Sequence, residues 1–534
     1  MFLLRYYHEH MFLNRGSLIK FITILIYKKH LFLKGVIWMW DNDSLIKEYS
    51  KYAHHLGNYY PYFIQSETPG ELFLNIREAL NELDKIELDF VGIVEIVYKS
   101  YFLGNRTLIQ NIKRLPWMTS YDSIIKHYNL CYQLPAHDKK IINIEVIANM
   151  LKKALKKELE NYIAEKRTVG ILLSGGLDSR ILAGLLKELQ IEGKYTGDVI
   201  SITWGLEQSR DVIYAKEISK RYLWTLEHIE LNSKILHENV YLAGKMGAEF
   251  SPYHLHGMNK VKEIDKIEAV IAGSYGDGVG RAEFSGKKIM DLKPTIKKNI
   301  NPYGILRQDL VKLSLEKLYS DTYTYKKYIN RSEEYQYLEI EQELHYMRRK
   351  LNACMNIIGE KIPVYQLYTD PDAFGLMWST NPKQRNDEIY KLIIASLPCN
   401  MNTIPWARDA KTIYSTESTL NKGTKQHHKY GEWLRNDLYD EIRKMVLSDN
   451  IKNLNVFNEK SLKSLVEIWH KQSTTTVSKL DELISWIASL SVFITEYDIK
   501  SSLSDNLTYI DSINSIIGPL NAKLYSQLRR RIRG

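Results

Sequence analysis

The sequence has little cysteine, and its cysteines are dispersed. Only three occur in 534 residues, and Cys131, Cys354 and Cys399 form no CxxC pair. This pattern excludes a disulfide framework and a structural zinc site of cysteine ligands. It favours a reducing compartment, and we therefore expect a cytoplasmic protein.

Long apolar runs are also missing. No stretch approaches the roughly 18 to 20 apolar residues that a membrane-spanning helix needs. The run at residues 21–27 is followed at once by Lys28 and Lys29, and no small-residue cleavage site of a signal peptide comes after it. We expect no membrane partner.

Glycine and proline are sparse as well, with 28 and 13 residues, which excludes collagen-like and low-complexity chains. Hydrophobic residues make up 44% and charged residues 25%, the balance of an ordinary globular protein. At about 150 residues per domain, the length suggests two to four domains. The net charge of +10 suits a phosphate ligand or RNA without specifying either.

Strand and helix patterns alternate in the middle of the chain. A long amphipathic helix over 141–166 precedes an apolar strand at 168–173, and a Gly-rich turn and a helix at 181–189 follow. Further strands are predicted at 199–204, 224–231 and 269–273, with a helix at 211–222. This order predicts an α/β fold with a doubly wound parallel sheet.

The domain bounds follow from this pattern. Residues 1–38 differ in texture from the helix start at Asp41–Ser44, so we interpret them as an extra segment produced by an upstream start codon. The sheet core spans 165–290 within a domain of 140–445, whose helical lobe covers 300–445, and residues 446–534 form a helical extension. Helices are predicted at 305–320, 334–359, 384–397, 429–447, 459–470 and 478–500.

The sharpest motif is Leu173-Ser174-Gly175-Gly176-Leu177-Asp178-Ser179, placed between a strand and a helix. Two glycines allow close approach of an anion, two serines add hydroxyl donors, and the helix N-terminus favours negative charge. The motif is neither a Walker loop nor a Rossmann turn. Because Asp178 would repel a bare phosphate, its presence predicts a Mg²⁺ ion between carboxylate and phosphates.

This motif resembles the pyrophosphate loop (PP-loop) of the ATP pyrophosphatases and, within them, that of asparagine synthase. The segment from Trp204 to Asp211 is similar to the family's second strand and the helix after it, where the strand backbone holds adenine, so Trp204 is the match. The segment 272–278 resembles the family's Ser-Gly-Glu-Gly-x-Asp-Glu loop. The resemblance implies ATP and Mg²⁺, with Leu173 to Ser179, Trp204, Gly273 and Ser274 around the nucleotide and with Asp178 and Asp277 on the metal.

The sequence departs from the family at three places. Ser274 and Gly278 replace two glutamates, the first of which acts in amide formation in the family. The family's catalytic lysine would fall at Asn386, so Lys383 or Arg385 is the candidate cation for a developing anion. Tyr275 is the candidate general base if the missing glutamate is replaced.

The front of the chain resembles a shortened glutaminase-like domain at 39–135. Segments 104–108 and 112–116 look like the family's link between glutaminase and synthase. Cys131 is the first cysteine, so the N-terminal nucleophile of glutamine-dependent members is absent and glutaminase activity is not expected. A separate glutaminase is a possible partner.

The resemblance implies a C–N ligase of the asparagine synthase type. It would activate aspartate or an analogue as an acyl-adenylate, release pyrophosphate (PPi), and then form an amide with ammonia or an amine. Three alternatives stay open: a relative of β-lactam synthetases and peptide cyclases, a tRNA-modifying PP-loop enzyme, and an inactive ATP-binding regulator. The tRNA enzyme is disfavoured because no aromatic-basic RNA motif is present.

Overall fold

The computed structural model describes residues 40–53, 55–65, 70–122, 127–130, 134–297, 299–414, 420, 422–472, 479–504 and 507–533. The predicted extra segment 1–38 lies outside these ranges, as does Cys131.

The N-terminal region mixes short helices with short antiparallel strands. Its elements are α1 (Asn42–Lys51), β1 (Tyr62–Ile64), β2 (Leu72–Phe73), α2 (Ile76–Asn81), α3 (Phe90–Lys99), β3 (Ile112–Arg114), β4 (Thr119–Asp122) and β5 (His127–Leu130). β1 lies between β2 and β3, and β4 pairs with β5. Arg114 of β3 joins this region to the rest of the protein, because its Nε lies 3.1 Å from both carboxylate oxygens of the buried Glu249.

The middle of the chain forms the main sheet and its covering helices. The elements are α4 (Ile144–Ile163), β6 (Thr168–Leu172), α5 (Leu177–Ile191), β7 (Asp198–Gly205), α6 (Arg210–Tyr222), β8 (Thr225–Glu230), α7 (Ser233–Lys245), α8 (Met258–Val261), β9 (Ala269–Ala272) and α9 (Gly276–Arg281). The predicted strands of this region are all present.

The remainder of the chain is mostly helical. Its elements are β10 (Glu283–Phe284), β11 (Lys287–Lys288), α10 (Gln308–Tyr323), α11 (Glu334–Glu341), α12 (Asn356–Gly359), β12 (Val364–Gln366), α13 (Pro371–Ser379), α14 (Asp387–Ala395), α15 (Tyr430–Arg435), α16 (Tyr439–Val446), α17 (Asp449–Lys452), α18 (Glu459–His470), α19 (Lys479–Glu496) and α20 (Tyr509–Arg533). A π-helix at Gln342–Leu351 interrupts the predicted helix 334–359. None of the helices in the described ranges has the length and apolar character to cross a membrane.

Five parallel strands form the main sheet in the order β12-β9-β6-β7-β8. The central β6 reads as a continuous apolar run because both of its faces are buried. Val169 and Ile171 pack in the core beneath α4 and α5, while Leu172 packs in the core that contains Ile358 and Val364. The doubly wound α/β class with a helical carboxyl-terminal region is thus confirmed.

The chain runs outward from β6 through β7 to β8, and then crosses to the other side of β6 to form β9 and β12. Ligands of such sheets bind outside the carboxyl ends of the strands where the order reverses, which here is between β6 and β9. Both predicted motif loops follow these two strands.

Candidate active site

The loops after β6 and β9 meet at this reversal point. They approach so closely that a Cβ added at Gly276 would lie 2.3 Å from Asp178 Oδ1. A cavity of about 330 Å³ opens beside them at the end of β7. Eight predicted residues line it: Leu173, Ser174, Asp178, Ser179, Trp204, Gly273, Ser274 and Asp277. The structure therefore brings together segments that lie about 100 residues apart in the chain.

The loop after β6 is held in shape by its own polar groups. The Ser174 N–H donates to Ser179 Oγ and the Gly176 N–H donates to Ser174 Oγ, each at 3.1 Å. The N-cap of α5 is Gly176, so no side chain caps this helix. The uncapped helix N-terminus and the two hydroxyls therefore lie together, and such groups are suited to an anion.

Gly175 has a packing role besides any contact with an anion. A Cβ at this position would lie 2.8 Å from Ala407 Cβ and 2.9 Å from Tyr214 Cδ2. The first glycine of the motif is therefore required by the close approach of residues from outside the loop. Gly176 is less crowded, since its added Cβ would meet only Ser174 Oγ, at 3.1 Å.

Two lining residues, Asp211 and His427, were not predicted as site residues. Asp211 Oδ1 accepts the Gly175 N–H at 3.1 Å, which places a carboxylate behind the loop. Burial raises the pKa of Asp211, with His427 opposing the shift, and burial lowers the pKa of His427, with Asp211 opposing that shift. Asp211 could have been found from the sequence because it belongs to the segment that resembles the family's second strand and helix. The adjacent pair His427-His428 carries no such sign of a site residue.

The segment before α15 closes the cavity on the side of β7. The Leu206 N–H donates to the His427 carbonyl and the Arg210 N–H donates to the Thr424 carbonyl, both at 2.9 Å. This pairing brings His427 to the end of the strand that carries Trp204. The Trp204 ring stacks on His256 at 6.1 Å between centroids.

Asp178 and Asp277 have the chemistry expected of magnesium ligands. Asp178 Oδ1 is buried and has no hydrogen-bond partner among the described residues, and Asp277 lines the same cavity. No group of three or more His, Cys, Asp or Glu side chains within the described ranges could hold a metal ion by itself. Two carboxylates completed by substrate phosphates are a usual way to bind Mg²⁺, so these residues fit the ion together with a nucleotide.

Arg281 is the main residue that the sequence analysis missed. It lies one helical turn after Asp277 and is only 2% exposed. Its Nη2 forms ion pairs with Asp277 and with Asp178, the second at 3.5 Å, and its Nη1 donates to Asp387 Oδ1 at 2.8 Å. Burial raises the pKa of Asp178, and the Arg281 guanidinium opposes that shift.

The predicted catalytic residues are not brought to the cavity. The Tyr275 hydroxyl is buried and donates to the Leu56 carbonyl at 3.0 Å, and burial raises its pKa, so this placement does not support a general base. Arg385 is buried in a two-point ion pair with Glu339, at 2.7 Å for each contact. Lys383 is exposed and does not line the cavity.

The positions of the two missing glutamates differ in their surroundings. Ser274 lines the cavity, its N–H donates to Gln366 Oε1 at 3.1 Å, and its Oγ lies 3.9 Å from the Met355 sulfur. Gly278 does not line the cavity, and a Cβ at this position would lie 2.7 Å from Glu343 Oε1. Burial raises the pKa of Glu343 well above its ordinary value. A carboxyl group from the π-helix therefore occupies the space next to Gly278.

Residues 150–342 match the family model of asparagine synthase, and this part of the chain belongs to that family. The match includes β6 to β9 and both motif loops. No curated protein sequence matches the chain significantly. The matched domain supports the general function of an ATP-dependent ligase that forms amides.

Proposed function

We infer that this chain activates a substrate carboxylate with ATP and then transfers the acyl group to a nitrogen nucleophile. The observation that carries the proposal is the meeting of two aspartate-bearing loops at one cavity, beside the uncapped start of α5. A phosphate chain at this point would meet hydroxyls and a helix N-terminus, with the adenine directed toward Trp204 at the end of β7.

The reaction has two steps. A carboxylate oxygen of the substrate attacks the α-phosphorus of ATP, the bond between the α and β phosphates breaks, and PPi leaves. Ammonia or an amine then attacks the acyl carbon of the acyl-adenylate, AMP leaves with the bond electrons, and the nitrogen loses a proton to solvent. Mg²⁺ held by Asp178 and Asp277 would neutralise charge on the phosphates during the first step.

The protein residues supply positioning and charge. Ser174, Ser179 and the N–H groups in the first turn of α5 orient the phosphates, and Asp211 holds the loop in place by accepting the Gly175 N–H. Arg281 is a buried cation paired with both aspartates, so we give it the role of the positive charge that the sequence suggested for Lys383 or Arg385. We place the reaction in the cytoplasm on the basis of the three dispersed cysteines.

The side of the cavity near Ser274 favours a second candidate within the same chemistry. Where the family has a glutamate, this chain has a neutral hydroxyl next to the Met355 sulfur. This neutral wall favours a carboxylate other than aspartate, as in the relatives that resemble β-lactam synthetases and peptide cyclases. The nitrogen source would be ammonia, an amine or a separate glutaminase.

Release of PPi from ATP and Mg²⁺ tests the proposal. The assay compares aspartate, a panel of other carboxylic acids and no carboxylate, each with ammonium and with glutamine. The matched pair of variants is Asp178→Asn and Asp372→Asn, because the Asp372 side chain is 75% exposed on α13. We expect PPi with at least one carboxylate and ammonium, loss of at least 100-fold in Asp178→Asn, and no loss in Asp372→Asn.

The outcomes separate the alternatives. PPi together with asparagine, formed from aspartate, would establish an asparagine synthase activity, and PPi only with other acids would favour the second candidate. PPi that appears only when tRNA is added would favour a tRNA-modifying enzyme. ATP binding without PPi under every condition would contradict the proposed ligase and leave an ATP-binding regulator.

A further inference from the structure

Arg281 occupies the space between the two carboxylates that fit magnesium. Its guanidinium contacts Asp277, Asp178 and Asp387, and it is nearly inaccessible to solvent. The rings of Tyr390 and Trp406 lie near it, with centroids 5.6 Å and 5.4 Å from Cζ. Aromatic and acidic groups thus hold the cation on several sides.

This arrangement changes the charge that an entering ion meets. Three aspartates against one arginine leave a formal charge of −2, and a guanidinium cannot release its proton in a protein. The positive charge is therefore permanent. A free divalent cation that approaches Asp178 and Asp277 therefore meets a guanidinium that is already paired with Asp277 Oδ1 and lies 3.5 Å from Asp178 Oδ2.

A nucleotide changes this balance. The phosphates of ATP bring several negative charges to the cavity, so a cation that arrives with them meets less net repulsion from the guanidinium. Phosphate oxygens also serve as ligands of the metal ion, in place of the carboxylate oxygens that stay paired with Arg281. The same arginine thus disfavours the bare ion more strongly than the ion bound to nucleotide.

We propose that Arg281 is a built-in counter-ion that makes divalent-metal binding at Asp178 and Asp277 depend on the nucleotide. It keeps the two carboxylates paired in the empty site and weakens their affinity for a free ion. Arg281 is therefore a positioning residue for the metal ligands. The inference rests on the proposed ATP site, and it deepens that proposal by naming what couples metal to nucleotide.

The experiment is a titration with Mn²⁺ followed by electron paramagnetic resonance, which reports the free ion. Each protein is titrated alone and with α,β-methylene-ATP, an analogue that cannot release PPi. The variants are Arg281→Met, which removes the charge, and Arg281→Lys, which keeps it. The matched control is Arg408→Met, since Arg408 is 40% exposed, pairs with Glu283 and comes only within 4.0 Å of Asp387.

In wild type we expect the analogue to tighten Mn²⁺ binding at least tenfold. Arg281→Met should bind free Mn²⁺ at least tenfold tighter than wild type, and the analogue should then add less than threefold. Arg281→Lys and Arg408→Met should stay within threefold of wild type. Melting in EDTA and in Mn²⁺ verifies folding, and Arg281→Met should melt lower in EDTA and recover with the ion.

An Arg281→Met protein that is folded and binds free Mn²⁺ no tighter than wild type would overturn the proposal. If that variant does not fold, Arg281→Lys still decides, because free Mn²⁺ binding more than tenfold tighter with the charge kept would contradict it. A wild type that binds Mn²⁺ but never the analogue would refute the ATP site, and the free-ion comparison would still test Arg281.

Discussion

The loops after β6 and β9 stand side by side at the same edge of the sheet, but they are held by different means. The first loop is shaped by hydroxyls and N–H groups that bond within it and to Asp211. The second is shaped by an arginine that holds its aspartate and by a π-helix that supplies Glu343 beside Gly278.

This difference indicates how the site is divided. The loop after β6 has the full pattern of the phosphate motif that it resembles, and its polar contacts join Ser174, Gly176 and Ser179 to one another and Gly175 to Asp211. The loop after β9 has Ser274 and Gly278 where the resembled motif has glutamates, and it contacts Arg281 and Glu343. We therefore propose that the first loop serves the nucleotide and the second the acyl substrate.

The largest effect is expected where the two loops touch. In Gly276→Ala the new Cβ would lie 2.3 Å from Asp178 Oδ1, so the carboxylate must move. Misplacement of a group in an active site by about 1 Å costs on the order of 100-fold in rate. We expect at least this loss in the rate of PPi release, together with weaker binding of Mg²⁺ and α,β-methylene-ATP measured by calorimetry.

Gly375→Ala is the control for this substitution. Gly375 lies within α13, and its added Cβ would make only ordinary contacts with Pro135, at 3.5 Å. Alanine is favoured over glycine in a helix by about 1 kcal/mol, so binding should be unchanged and stability slightly higher. Equal binding by Gly276→Ala and wild type would refute the contact between the loops.

The π-helix at Gln342–Leu351, which contacts the second loop through Glu343, predicts that protein stability depends on pH. His345 is buried, its Nδ1 accepts the Gly104 N–H at 3.1 Å, and burial lowers its pKa to about 3. Since this pKa is below the ordinary 6.5, the neutral ring contributes stability above pH 6.5 that is lost as the pH falls toward 3. His345→Gln does not titrate.

Denaturant unfolding of wild type and His345→Gln at several pH values checks this prediction. Below pH 6.5 the free energy of unfolding of wild type, relative to that of His345→Gln, should fall by about 1.4 kcal/mol for each pH unit. Parallel pH curves for wild type and His345→Gln would contradict the buried neutral ring.

Asp211, which accepts the Gly175 N–H of the first loop, predicts a smaller effect on nucleotide binding. Asp211→Ala leaves the Gly175 N–H without its acceptor, which costs about 1 to 3 kcal/mol for a buried group. We expect affinity for the ATP analogue to fall about tenfold, while Asp211→Asn, which keeps an acceptor oxygen, should stay within threefold. Equal losses in both variants would show that charge, rather than the hydrogen bond, holds the loop.

The smallest effect on nucleotide binding is expected at Ser274. The resemblance placed Ser274 at the nucleotide, but its Oγ contacts only the Met355 sulfur, at 3.9 Å, among the described contacts, and we propose that it faces the acyl substrate instead. Ser274→Ala should therefore bind the ATP analogue within twofold of wild type, and any change should concern the KM for the carboxylate. A tenfold loss of analogue affinity would contradict the division between the loops.

The sequence predicts β6 and β9 well because these two strands are buried on both faces. Apolar runs mark β6 and β9, and short linkers join them to amphipathic helices. β12 was missed, since it has only three residues and follows Pro363. Its register is set by pairing with β9, which a local pattern does not show.

The candidate site is predictable where a loop carries it and unpredictable where distant residues contribute. Ser174 and Asp178 follow from one motif, but Arg281 shows its role only when α9 places it against Asp387. His427 reaches the cavity through backbone pairing with Leu206, about 220 residues earlier. Tyr275 was expected beside Asp277, yet the turn into α9 directs its ring toward Leu56.

Binding of α,β-methylene-ATP to the wild-type protein, with and without Mg²⁺, tests the central claim most directly. The account predicts binding that requires Mg²⁺ and falls at least 100-fold in Asp178→Asn, while Asp372→Asn binds as wild type does. Binding that persists in Asp178→Asn, or no binding by wild type in the presence of Mg²⁺, would contradict the claim that these two loops form an ATP site.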